Sequence, residues 1–87
     1  MESKTITVDG ENVIIRKGTV FNLKVQIESG HGSLEPGTLL TVSDILEQPD
    51  GTHFELIPED KPGNIETFMQ YALETMLEDD ELSKLEE

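Results

Sequence analysis

Over the first two thirds of the chain, hydrophobic and polar positions alternate in short runs; beyond that they switch to helical spacing. Thr5-Ile6-Thr7-Val8 and Val13-Ile14-Ile15-Arg16 flank Asp9-Gly10. That dipeptide suits a type I′ turn, whose two central residues need positive φ, so the two runs predict a hairpin. After Lys17-Gly18, residues 20–27 alternate with Leu23, Val25 and Ile27 on one face, and predict a third strand. Residues 29–33 read as a flexible loop and Glu35-Pro36-Gly37 as a turn. Residues 38–46 predict a fourth strand whose mixed pattern calls for a bulge or bend. Gln48-Pro49-Asp50-Gly51 is a second tight turn, and His53-Phe54-Glu55-Leu56-Ile57 a fifth strand. Short strands with no helix between them point to an α+β fold. The expectation is a small five-stranded, partly closed, barrel-like antiparallel sheet over residues 4–58, with one C-terminal amphipathic helix.

The helix is expected over residues 64–77, with Asn64 as N-cap and Glu66 near the positive end of the dipole. Ile65, Phe68, Met69, Ala72, Leu73 and Met76 recur every three or four residues, a stripe suited to packing on the sheet. Leu82 and Leu85 fall nearly opposite that stripe. Glu78-Asp79-Asp80-Glu81 places four acids where the helix dipole disfavours them, so the helix is expected to break there. Residues 1–77 then form a single α+β domain, and residues 78–87 an acidic extension, partly ordered at best.

Charge changes the picture most. The 87 residues hold 19 acids against six Lys and Arg, a formal net charge of −13. Residues 62–87 alone contain eight of those acids and one base, so the last third holds more than half of the excess. Direct binding to nucleic acid or an anionic membrane needs neutralising Lys and Arg, and is disfavoured. Absence of Cys removes disulfides, thiolate metal sites and Cys nucleophiles. The N-terminal residues lack the apolar run of a signal peptide, and no stretch is apolar enough for a transmembrane helix, so a cytoplasmic location is expected.

Little in the sequence suggests catalysis. His31 and His53 are the two histidines, in different loop and strand contexts. Gly30-His31-Gly32-Ser33 is too short for a phosphate-binding loop and lacks its Lys. Residues 78–81 lack the alternating ligands and central Gly of a calcium loop. No carboxylate sits in an apolar run that would raise its pKa for acid–base work; Asp44 comes nearest and reads as a solvent-facing strand residue. No catalytic residue, metal or cofactor is expected.

Residues 34–42, LEPGTLLTV, with the Gln48-Pro49-Asp50-Gly51 turn and Phe54, Leu56 and Ile57, resemble a Src-homology-3-like small barrel over residues 18–57. Peptide-binding members of that group place paired Trp after the distal turn, where this chain has Thr52-His53-Phe54, so polyproline recognition does not carry over. In size, acidity and lack of catalytic motifs, the chain resembles the small acidic proteins with which tailed phages disable host proteins, some of them DNA mimics. That resemblance implies a non-enzymatic inhibitor in the host cytoplasm, whose partner is a basic DNA-binding protein such as an HU-type nucleoid protein, a polymerase or a nuclease. The acids expected to meet the partner are Glu66, Glu74, Glu78, Asp79, Asp80 and Glu81 on or after the helix, with Gln70 completing an outward row. Glu47, Asp50, Glu55, Glu59 and Asp60 of the sheet would have to share that side. Leu77, Leu82 and Leu85 offer apolar material for a homodimer or partner contact. The alternative is a small structural or adaptor module whose acidity serves solubility alone.

Overall fold

The Asp9-Gly10 turn forms as its residue types require. Strand β1, Ser3–Val8, pairs antiparallel with β2, Glu11–Arg16, around a two-residue loop in which Asp9 has φ 52° and Gly10 φ 80°. The computed structural model describes residues 2–30 and 32–85. This hairpin is a sheet of its own. Its Ile6 and Ile15 point to one side and are fully buried.

Strand β3, Val20–Leu23, ends four residues earlier than the alternation at 20–27 predicts. The chain then turns into a second small hairpin, β4 (Ile27–Ser29) with β5 (Gly32–Leu34), where a flexible loop is expected. His31, at its tip, lies outside the described residues. Strands β6, Leu39–Gln48, and β7, Gly51–Pro58, form the long central hairpin around Pro49-Asp50. The expected irregularity in β6 is a bulge between Val42 and Asp44. A strand alternates faces every residue, so without an extra residue Val42 and Ile45 would point opposite ways. The bulge at Ser43 buries both and keeps Asp44 out of the core.

The C-terminal third departs from the helical expectation at both ends. Residues Glu66–Met69 are a strand, β8, paired with β7, and helix α1 runs only over Gln70–Glu78. Asn64 does not cap it; its N–H donates to the Lys61 carbonyl in a turn, and Met69 holds the N-cap position. Thr67 and Phe68 suit a pleated strand, and pairing with β7 supplies a ladder that an isolated helical turn lacks. α1 ends in a Schellman motif: the Asp80 and Glu81 N–H groups donate to the Leu77 and Met76 carbonyls, with Asp80 left-handed at φ 58°. The chain then re-enters the sheet as β9, Leu82–Lys84, beside β3. Residues 82–84 are thus ordered structure rather than an extension, and Leu82 is 1% exposed. Leu82 falls off the helical stripe because it belongs to a strand. Glu86 and Glu87 lie outside the described residues.

The resulting five-stranded antiparallel sheet has the order β8-β7-β6-β3-β9 and is open, not closed into a barrel. It gains β8 and β9 and excludes the N-terminal hairpin, so its strands are not the five expected. One face carries the core: Phe21, Leu23, Leu40, Val42, Ile45, Phe54, Leu56 and Leu82 meet Leu73 of α1 and Ile6 and Ile15 of the first hairpin. Helix α1 packs against β1, β7, β8 and β9, and so joins the hairpin to the sheet. No helix among the described residues is long and apolar enough to cross a membrane.

Candidate functional site: the acidic surface and the open sheet face

Most of the acids singled out from the sequence separate into three groups, and Glu66 departs from them furthest. Its pairing with Leu56 turns it toward the core side, where it is 6% exposed and accepts a hydrogen bond from Ser29 Oγ at 3.2 Å. It cannot belong to an outward row, and the row Glu66-Gln70-Glu74-Glu78-Glu81 expected on one helix is broken at both ends. Glu66 starts a strand, and Glu81 follows the helix cap.

The first group lies at the tip of the central hairpin. Asp50 and Glu74 line one shallow groove with Gln70 and the 70% exposed Tyr71. Here a sheet acid and a helix acid do share a side. Asp50 also meets His53 Nε2 at 3.0 Å, and Gln70 donates to Glu74 at 3.1 Å. Glu47, on the neighbouring strand end, accepts the Thr52 hydroxyl and sits 3.5 Å from Lys4. The second group is the end of α1, where Glu78, Asp79 and Asp80 are exposed and Asp80 pairs with Lys24 at 2.8 Å. The third is the far end of β7, where Glu59 and Asp60 are exposed. Glu55 lies between the first and third groups, opposite Asp44 on the open face of the sheet. The sheet and helix acids therefore lie toward both ends of the sheet, the hairpin tip at one and the helix end with the far end of β7 at the other.

Two carboxyls are held below the usual range. For Asp44 the Ile45 N–H, accepted at 2.9 Å, is the main cause, opposed by desolvation and reinforced by Lys17 at 3.5 Å. For Glu47 it is the Thr52 hydroxyl, again opposed by desolvation, with Lys4 after it. A carboxyl whose folded pKa is depressed adds stability that is fully present above its unfolded pKa and is lost as pH falls through the folded value. The variant with Asp44→Asn and Glu47→Gln is therefore expected to melt lower than the parent at neutral pH. The two should converge as the pH drops below the ordinary carboxylate range, read as thermal midpoints in a pH series. A gap that stays constant into acid would show that these carboxyls do not act through their charge.

The apolar residues expected to meet a partner divide too. Leu82 is in the core and so is not available, while Leu77 is partly buried against that core. Leu85 is 38% exposed, with its N–H donating to the Val20 carbonyl. The sequence reading missed the face of the sheet opposite the core. There Val20, Leu39, Thr41 and Ile57 are half-buried and, with Pro62, line an open groove of about 360 Å³. The signal was present: Leu39 and Ile57 each fall out of phase with the buried positions of their strands. No group of His, Asp and Glu among the described residues is placed to hold a metal ion.

No family model, curated protein or solved structure matches the chain.

Proposed function

We propose that the protein is a non-enzymatic acidic inhibitor that occupies the DNA-binding surface of a basic host protein, presenting carboxylates where phosphates would lie. The observation that carries this reading is charge per length. Duplex DNA as long as the molecule's 29 Å axis bears about 17 phosphate charges. The chain brings a formal −13 to a body of that size. Acids at the hairpin tip, and at the helix end with the far end of β7, place that charge at both ends of the body. Complementary fields of this kind speed encounter and fix orientation, and salt weakens them. HU-type nucleoid proteins, polymerases and nucleases are the candidate targets, reached in the host cytoplasm.

The test uses a variant carrying Glu74→Gln, Glu78→Gln, Asp79→Asn, Asp80→Asn and Glu81→Gln. Asn tolerates the left-handed backbone at position 80. An HU-type protein bound to labelled duplex DNA is titrated with parent and variant. The parent is expected to release the DNA at low salt and to lose that effect as salt rises. The folded variant should need at least about tenfold more protein for the same release. Unchanged release by the variant would remove the helix-end acids from the mechanism, and no release by the parent from any basic target would end the proposal.

The exposed Leu85 and the apolar groove favour a second reading, an adaptor held by an apolar interface, which a partner retained through high-salt washing would support. Deleting residues 79–87 cannot separate the two readings, because it removes β9 and Leu82 from the fold.

A further inference from the structure

On the open face of the five-stranded sheet, one transverse row is apolar at every position but its centre, Thr41. Val20 pairs with Thr41, and Thr41 with Ile57. At one end the Leu85 N–H bonds the Val20 carbonyl; at the other, Ile65 lies one residue beyond the Leu56–Glu66 pair, next to Ile57 in the register. Ile65 and Leu85 are 47% and 38% exposed, so two of the most exposed large hydrophobic side chains cap the two ends of a single row. Leu39 widens the middle into the groove already described.

The rows on either side each carry acids on or just past β7, among neutral neighbours: Thr67 beside Glu55, and Leu39, Asn22 and Ser83 across from Glu59. Asp44 and Glu55 face each other one step toward the hairpin tip, and Glu59, whose N–H donates to the Leu39 carbonyl, stands one step the other way, followed by Asp60. Two cations lie near. Lys17 pairs with Asp44, and Lys61 is turned away to the Ser33 carbonyl. Apolar material between acidic margins selects a partner with the inverse pattern. A second copy of the chain would bring its own acids against these margins. An anionic surface would be repelled in the same way.

We infer that this face docks an amphipathic basic helix of the target protein, its apolar side along the Ile65–Leu85 row and its Lys and Arg over the Asp44–Glu55 and Glu59–Asp60 margins. Four interstrand steps of ~4.8 Å make a row of ~19 Å, the length of a helix of about 13 residues. The inference rests on the charge-led reading above and gives it a contact: charge brings the target in, and the apolar row fixes where one of its helices lies.

The test uses two helical peptides of about 14 residues, both of Leu and Lys in identical numbers. One has Leu at helical spacing on one side; the other is scrambled. Each is titrated into the isotopically labelled protein at low and high salt, and into an Ile57→Thr, Leu39→Ser variant whose fold is confirmed by its amide spectrum. The striped peptide is expected to bind at least tenfold more tightly than the scrambled one at low salt. Its shift changes should centre on the methyls of Val20, Leu39 and Ile57, and the variant should lose the difference. Equal, salt-sensitive binding of both peptides would overturn the docking row and leave the charge reading standing. Striped-peptide binding that ignores salt, with none of the scrambled, would keep the row and overturn the charge reading. Binding of neither peptide would overturn both. Concentration-dependent shifts of the same methyls without peptide would give the face to a second copy and overturn the inference.

Discussion

Leu82→Ala is expected to lower stability by about 2–5 kcal/mol, the cost of emptying a fully buried leucine site. A domain of 87 residues has about 4–13 kcal/mol to lose, so this one change takes a large share of it. Leu82 pairs with Leu23 on β3 and reaches the same core as Phe21, Leu40 and Leu73. The cavity would open under an edge strand of only three residues, Leu82–Lys84, held otherwise by its ladder to β3 and by the bond from the Lys24 N–H to the Glu81 carbonyl. Urea unfolding followed by circular dichroism should show a large fall in midpoint with little change in slope. A midpoint within error of the parent would mean that β9 is not docked. Leu85→Ala serves as the comparison, since Leu85 is partly exposed and its loss should cost well under half as much.

The second large effect is expected from the first hairpin. Among the described residues, strands β1 and β2 pair only with each other, and a lone two-stranded hairpin is marginal in water. Ile6 and Ile15, both fully buried, fasten it to α1 and the sheet; two backbone bonds, from Gly18 N–H to the Val42 carbonyl and from Val42 N–H to the Thr19 carbonyl, tie its end to β6. Each Ile→Ala change is expected to cost about 2–5 kcal/mol. The double variant should cost less than the sum, because both side chains serve one docking contact. Hydrogen exchange should show why. In the double variant the β1 and β2 amides are expected to lose protection before those of β6 and β7. Uniform loss of protection across all strands would show that the hairpin and sheet open as one unit.

How much of this was legible in the sequence depended on whether the deciding interaction was local. Asp9-Gly10 fixes its own turn through φ, and Pro49-Asp50 sits where β6 folds back on β7, so both hairpins could be read directly. The bulge at Ser43 was visible as a fault in alternation, because Val42 and Ile45 cannot share a face without it. The span 65–69 was not decidable in the same way. Its Ile, Phe and Met fit helical spacing, while Thr67 and Phe68 fit a strand, and the choice was made by β7, far enough away to leave no local mark. The same decision buried Glu66, which in a helix would have stood in the first turn facing water. The total charge was legible to the last residue, but its distribution was not. Whether Asp50 meets Glu74, or Glu55 meets Asp44, follows from register and helix placement rather than from spacing along the chain.

The pairing of β3 with β9 has a consequence for the order in which the protein can take shape as it is made. β3 occupies residues 20–23, and its outer neighbour is not synthesised until residues 82–84 have been added. While the ribosome works through the intervening sequence, β3 can align with β6, yet one of its edges stays unsatisfied and Leu23 lacks its cover. The nascent sheet is therefore incomplete until nearly all of the described chain has emerged, with a bare strand edge of the kind that invites pairing with other chains. Long-range closure of this sort slows folding, since the intervening loop must be ordered before the contact is gained.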